Sequence, residues 1–405
     1  MRAHPIKPKT DKDKYKFNTG QIDRRWISYR SVVGEPPKEQ LVDLFGHYWS
    51  EVNMKIEWAP LRVPLERRLQ ILVTAFFTSM LLILLSVSFL LVAGSLIYGG
   101  LLLRSLMVIY LAYVYVHHKK TQSVVDGNGW MITRTNLLHR RYRDYFPVEL
   151  VKTADLPANK NYILASFPHG ILGTGIGINM GVEISKWLEL FPQVRPKLGT
   201  LDQHFHVPFM REVLRCWGLV SVSKEALIRM LSKSNDPKHK DNRDGFTSNA
   251  VAILVGGAQE AMDSHPGQYI LTLKNRKGFV KMAIRTGSSI VPSFSFGEVD
   301  IFDQVANPPD SLLRRVQNVV KKLTGVSPLI PVGRGFFNYT FGFLPFRRRI
   351  VQVVGSPIDV VKSDQPDPEY VDKVHGQVIE ALEKLFEQHK DKYLQNSTSA
   401  KLVLQ

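Results

Sequence analysis

No charged residue stands between Arg68 and Arg104, and beyond Arg104 an almost wholly apolar run resumes from Ser105 to Val116. A membrane-crossing helix needs roughly 20 apolar residues. The block from Leu69 to Val116 is therefore too long for one perpendicular crossing, and it is too apolar for a helix in a soluble core. It reads as a transmembrane helical hairpin that turns near Ala93, Gly94, Ser95 and the Gly99-Gly100 pair. Arg104 either snorkels from the second arm or marks an arm that dips into one leaflet. The residues before the block are polar and basic, unlike a cleaved signal peptide, so the hairpin is expected to stay. Arg62, Arg67 and Arg68 flank one end and His117, His118, Lys119 and Lys120 the other. The excess of cations in cytosolic flanks then puts both ends in the cytosol. The bland alternative is an unusually apolar core hairpin of a soluble protein.

The remainder of the chain is large enough to fold around that anchor. With 405 residues, of which 44% are hydrophobic and 22% charged, wholesale disorder is excluded. One cysteine, Cys216, excludes a disulfide-stapled scaffold, and no Cys/His spacing of a structural zinc site is present. No metal is expected. The net charge of +17 suits an anionic membrane surface or a phosphorylated ligand. Nucleic acid is not an expected partner, because no helix-turn-helix, zinc-finger or RNA-recognition signature appears.

Four parts are expected: a polar basic cytosolic segment over 1–68, the membrane hairpin over 69–116, an α/β domain over 117–393 and a polar tail over 394–405. Within the domain, Tyr162 to Ser166, Val251 to Val255, Ile290 to Phe296 and Ile350 to Val354 are short apolar runs closed by Gly or Pro, and so are predicted strands. Helices are predicted near Val182 to Leu190, Pro208 to Trp217, Lys224 to Ser232, Gly278 to Arg285 and Ser311 to Leu323, with a last one from Pro368 to Lys390. Strands alternating with helices imply an α/β fold: a mainly parallel sheet flanked by helices.

The run from Tyr162 leads straight into Pro168-His169-Gly170, placing an imidazole at the C-terminal end of a buried strand. Ligands bind at that edge of open α/β sheets, and a histidine there has the properties of a general base near neutral pH. Taken alone, a histidine after a strand is more often structural. The second predicted strand ends in Gly256-Gly257 with Glu260 just beyond, which brings a carboxylate to the same edge if the strands are parallel. A solvated Glu after an ordinary turn is an equal reading. Arg276 and Lys277 precede a predicted helix, a position that favours phosphate, although a solvated basic loop fits as well.

Other constellations are weaker. His139 to Asp144 and His239 to Asp244 have a His-x4-Asp spacing, but no strand feeds them; His204 and His206 lack a further ligand. Gly173, Gly175 and Gly177 lack dinucleotide-fingerprint spacing and are read as turns. No Gly-x-Ser-x-Gly elbow and no His-Glu-x-x-His pair is present.

These blocks together resemble the type-2 diacylglycerol acyltransferases and their monoacylglycerol and wax acyltransferase relatives. The matching stretches are Arg143-Asp-Tyr-Phe-Pro147, Asn161-Tyr-Ile163, Pro168-His169-Gly170, Gly256-Gly-Ala-Gln-Glu260, Arg276-Lys-Gly-Phe-Val280, Val291-Pro292, Phe296-Gly-Glu298, Gly342-Phe-Leu-Pro345 and Val354-Gly-Ser-Pro357. The family usually has His-Pro-His-Gly, whereas Phe167 replaces the first histidine here. Arg349 likewise stands where the family commonly has a proline.

The resemblance implies a glycerolipid-acyltransferase-like domain that transfers an acyl chain from acyl-CoA to diacylglycerol in the endoplasmic reticulum membrane, often with lipid-droplet association. It implies His169 and Glu260 as catalytic residues, and Pro168, Gly170, Arg276, Lys277 and Glu298 as substrate-binding ones. Acyl-CoA would be a co-substrate, with no permanently bound cofactor. Diacylglycerol or another lipid alcohol, and membrane lipids, would be the other partners, and a homo-oligomer stays open. Monoacylglycerol, a wax alcohol or retinol are alternative acceptors, and an inactive lipid-binding or membrane-scaffold protein is the alternative of another class.

Overall fold

The computed structural model describes residues 56–60, 62–121, 129–134, 136–181 and 186–405, all within the unit Lys55–Gln405. Most of the predicted N-terminal segment, and the start of the helix predicted from Val182, lie outside the described residues. In chain order the helices are α1 (Leu65–Tyr98), α2 (Leu101–Thr121), α3 (Met131–Arg134), α4 (Leu137–Tyr145), α5 (Thr174–Gly181), α6 (Trp187–Leu190), α7 (Met210–Cys216), α8 (Lys224–Leu231), α9 (Gly257–Met262), α10 (Gly278–Thr286), α11 (Leu312–Thr324) and α12 (Pro368–Tyr393). The strands are β1 (Val148–Lys152), β2 (Tyr162–Phe167), β3 (Val194–Thr200), β4 (Leu219–Ser221), β5 (Ser248–Leu254), β6 (Tyr269–Leu271), β7 (Ser289–Phe296), β8 (Asp303–Gln304), β9 (Pro331–Val332), β10 (Ile350–Val354) and β11 (Leu402–Leu404).

Seven strands form one sheet in the order β1-β10-β7-β2-β5-β3-β4. Only the β10–β7 pairing is antiparallel. The four predicted strands are β2, β5, β7 and β10, which stand next to one another in the middle of the sheet. Their sequences are largely apolar because both faces are covered, as a mainly parallel sheet requires. Along β2 the side chains alternate between two cores: Ile163, Ala165 and Phe167 join α8, α10 and α12 on one face, and Tyr162 and Leu164 join α5 and α6 on the other. The stripe Val371, Val374, Val378, Leu382 and Leu385 of α12 is buried against the sheet, as its spacing predicts.

The apolar block folds as two helices joined at Gly99-Gly100. The turn is narrower than expected: α1 continues through Gly94, since a single glycine in a helix costs only about 1 kcal/mol relative to alanine. At Gly99 a Cβ would lie 2.3 Å from the Ser95 carbonyl oxygen, so only glycine ends the helix there. Arg104 sits in the first turn of α2, where its Nη2 donates to the Ile97 carbonyl at 2.9 Å. It therefore satisfies one of the unpaired carbonyls at the end of α1 rather than lying partway along an arm. Among the described residues one helix, α1, is long and apolar enough to cross a membrane; the apolar part of α2, Leu101–His117, is shorter.

The hairpin is fastened to the α/β domain at several points: near the start of α1, Glu66 pairs with Arg141 and Gln70 Oε1 accepts from Arg347 Nη1. Tyr110 donates to Glu212 Oε2 and accepts the Phe209 N–H, both at 2.8 Å, and Arg211 Nη1 donates to the Val114 carbonyl. Phe77 of α1 packs on the rings of His139, Tyr142 and Trp217. Ile71, Leu81 and Leu84 of α1 also pack against buried clusters of the domain, and 6% of the helix's apolar window is buried.

Candidate active site at the C-terminal edge of the sheet

Strands β5, β2 and β7 are adjacent and parallel, so their C-terminal ends share one edge. From β2 the chain enters Pro168-His169-Gly170, from β5 it enters α9 with Glu260, and from β7 it enters Gly297-Glu298. The topology thus places one carboxylate on each side of the histidine loop.

His169 is half-buried, while Pro168 and Gly170 on either side of it are buried. Its Nδ1 lies 3.0 Å from the carbonyl oxygen of Gly170. A carbonyl only accepts, so Nδ1 donates and the lone pair is left on Nε2. Burial holds the ring below its usual pKa of 6.5, outweighing the Gly170 bond that acts the other way. The imidazole is neutral at pH 7, in the tautomer of a base.

Glu260 does not reach that ring. Its Oε1 accepts the backbone N–H of His169 at 2.5 Å and its Oε2 that of Thr272 at 2.9 Å. Burial pushes its pKa up to about 7 against the pull of those two N–H groups and of Arg276. Glu298 is its counterpart on the β7 side. Oε1 and Oε2 accept the N–H groups of Thr174 and Gly175, each at 2.7 Å, at the start of α5. A carboxylate at a helix N-terminus satisfies orphan donors and meets the positive end of the dipole. Burial nonetheless raises Glu298 to about 7 as well.

Gly170 closes the loop between them. Its φ is +60°, and a Cβ would lie 2.8 Å from Cγ of Glu298. No other residue fits, both because the backbone is left-handed and because the carboxylate stem occupies the space.

The two basic residues differ. Arg276 is exposed, and its Nη2 approaches the Gly256 carbonyl at 3.4 Å, beside the Glu260 helix. Lys277 is paired with Asp372 of α12 at 2.6 Å. The structure bonds His169 to Glu260 and Gly170, sets Glu298 against Gly170 with its hydrogen bonds going to Thr174 and Gly175, leaves Arg276 at the border and turns Lys277 toward α12.

The competing histidines are engaged elsewhere. His139 packs on Phe77 and Trp217, and burial together with Arg134 lowers it to about 4. His239 caps a short 3-10 turn, and Asp244 pairs with Arg195. His204 and His206 lie in a 3-10 turn, with their Nδ1 atoms at Thr200 Oγ1 and the Asp202 carbonyl. Among the described residues no group of three His, Cys, Asp or Glu is arranged to hold a metal.

Residues 96–405 match the family model described as diacylglycerol acyltransferase. The chain belongs to the diacylglycerol acyltransferase family. Diacylglycerol O-acyltransferase 2 of Dictyostelium discoideum is 38% identical over 336 residues, 83% of this chain and 96% of that protein. 2-acylglycerol O-acyltransferase 1 of Bos taurus is 38% identical over 340 residues, 84% and 97% of the two chains. Diacylglycerol O-acyltransferase 2A of Umbelopsis ramanniana is 36% identical over 338 residues, 83% and 90%. Among solved structures, the 1-acyl-sn-glycerophosphate (LPA) acyltransferase PlsC of Thermotoga maritima is a remote likeness at 15% identity and TM-score 0.33, covering 75% of this chain and 96% of that one.

As a member of this acyltransferase family the chain is an enzyme of lipid metabolism, and two features of its site were not visible in the sequence. Thr272 supplies the second N–H to Glu260. Of the glycines read as turns, Gly173 stays outside the helix and Gly175 and Gly177 lie in α5: a Cβ on Gly175 would lie 2.9 Å from Oε2 of Glu298 and 2.7 Å from Cγ2 of Ile350. The signal was present as a glycine-dense stretch between the histidine and an apolar run. It points to close packing of a helix N-terminus as readily as to a loop.

Proposed function

We propose that this acyltransferase moves an acyl chain from acyl-CoA to the free hydroxyl of diacylglycerol, with His169 as general base. The observation that carries the reading is the Nδ1–H bond to Gly170, which leaves Nε2 unprotonated at the sheet edge. Nε2 takes the hydroxyl proton as the acceptor oxygen bonds to the thioester carbonyl carbon. The tetrahedral adduct then expels the CoA thiolate, which takes that proton from Nε2, leaving ester and free CoA. The Gly170 amide is the proposed donor to the oxyanion.

In this reading Glu260 and Glu298 are positioning residues. They act on the backbone on either side of the imidazole and do not touch the reacting atoms. Arg276, exposed beside Glu260, is the better placed cation for the CoA phosphates. Lys277 would join it by exchanging Asp372 for phosphate. Pro168 and Gly170 shape the loop against which the substrates lie.

Phe167 is fully buried with Ile163 and Ala165, so its departure from the family motif falls in the core. A core position supports reading the departure as a packing change and not as loss of the base. The acceptor reading has one specific rival, because the relatives named for 2-acylglycerol match as closely as those named for diacylglycerol. Wax alcohols and retinol are lesser alternatives.

The exposed apolar α1 supports residence in a membrane. We assign it to the endoplasmic reticulum and to lipid droplets, with a two-arm hairpin and both termini in the cytosol. The partners are then acyl-CoA, lipid alcohols and membrane lipids, with self-association an additional assignment to test. Microsomes containing the protein, given labelled acyl-CoA and diacylglycerol, monoacylglycerol or a long-chain alcohol in parallel, test the acceptor. Triacylglycerol is the expected main product; faster labelling of a monoacylglycerol acceptor would overturn it.

A further inference from the structure

Helix α11 is inside out. Its buried side carries Arg314, 7% exposed, whose guanidinium donates to Asp263 Oδ1 and to the Asn307 carbonyl. Gln317, 1% exposed, accepts from Asn307 and donates to the Pro328 carbonyl. Its outward side carries Leu312, Val316, Val319 and Leu323, the last two 58% and 79% exposed. At 100° per residue these four fall within about 60° of arc, a continuous ridge. A surface helix of a soluble domain has the opposite polarity, because water outside favours the charged side chains there.

We propose that α11 lies in the membrane interface, with its apolar ridge in the acyl boundary and Arg315 and Lys322 against anionic headgroups. The two cations border the ridge on one side, and both are exposed. This complementarity of charge, with an apolar ridge beside it, fits an anionic lipid surface. The exposed apolar surface also continues along the chain, through Ile330 to Phe337, Phe341 and Phe343. That loop is bonded to the segment leading into α1: the Ala59 N–H donates to the Phe337 carbonyl and the Tyr339 N–H to that of Glu57, each at 2.8 Å. Trp58, 68% exposed, lies in this strap. Aromatic side chains of this kind concentrate where protein meets headgroups. The membrane is the one that α1 is read to enter, so the inference rests on that reading and the test separates the two.

The full-length chain carrying Cys216→Ser is given one new cysteine, Val319→Cys, Asn318→Cys or Phe89→Cys. Each is labelled with an environment-sensitive fluorophore and reconstituted into phosphatidylcholine–phosphatidylserine vesicles with or without a shallow nitroxide lipid. At position 319 the nitroxide is expected to quench at least threefold more than at 318, with iodide in solution reaching 318 better. Phe89→Cys reports α1 independently. Quenching at 89 without quenching at 319 overturns the interface helix and leaves the membrane anchor standing. Quenching at 319 alone supports the helix and removes the anchor. Shielding of 319 from both nitroxide and iodide assigns the ridge to a protein contact and overturns the proposal.

Discussion

Glu260 holds His169 by its backbone and not by its ring: the carboxylate accepts the His169 N–H at 2.5 Å, while the imidazole donates to Gly170. The carboxylate thus fixes where the loop lies, and the loop's own carbonyl fixes which nitrogen is basic. Its role is separable from proton transfer. Glu260→Gln keeps one acceptor oxygen and turns an amide toward the other N–H, so we expect kcat to fall about 10- to 100-fold with KM for acyl-CoA nearly unchanged. An equal loss carried by KM alone would place Glu260 in substrate binding.

The pH dependence of stability follows from the two buried carboxyls. Both have a folded pKa near 7, above the ordinary 4.5, so folding favours their protonated forms. Their contribution to stability is complete below about pH 4.5 and is lost as pH rises toward 7. In detergent, Tm of the wild type should fall over that window from this cause, and Glu260→Gln with Glu298→Gln should flatten the fall. An unchanged slope in the double variant would contradict the burial assigned to both groups.

Activity should have its acidic limb below pH 6.5, since burial depresses the His169 pKa and the base stays neutral down to that point. The profile of kcat/KM checks this. A limb at or above 6.5 would mean that a different group, or a charged imidazole, is being titrated.

Gly170→Ala should be far worse than its single methyl group suggests. A left-handed φ costs a non-glycine residue roughly 1–2 kcal/mol, and the new Cβ would stand 2.8 Å from Glu298 Cγ. We expect activity to drop at least 100-fold while the chain stays in the membrane fraction. Retention of full activity would show that the loop and Glu298 are free to move apart.

Phe167→His restores the family's usual motif but puts an imidazole into the core that Phe167 shares with Ile163 and Ala165. The expected outcome is a loss of about 2–4 kcal/mol in stability with no gain in rate, read by thermal unfolding and transfer assay. A rise in kcat would place the position 167 side chain in the chemistry.

Much of this was legible in the sequence. The central strands were, because β2, β5, β7 and β10 are buried on both faces and so appear as largely apolar runs, with buried polar residues such as Ser293, Ser295 and Gln352 among them. The outer strands were not: β3 carries Arg195, Pro196, Lys197 and Gly199, and β4 is only three residues long. His169 and Glu260 were singled out by their places after strands, and Glu298 by the family resemblance alone. What each carboxylate bonds depends on which N–H groups the folded loops turn inward, and no spacing encodes that. Arg104 was ambiguous for a similar reason, since its partner is a carbonyl across the turn.

His169→Ala, assayed as transfer of labelled acyl-CoA to diacylglycerol in microsomes with expression, membrane retention and Tm matched to wild type, tests the central claim most directly. We predict a loss of about 10²–10⁴-fold in kcat. Transfer at the wild-type rate would contradict His169 as the base.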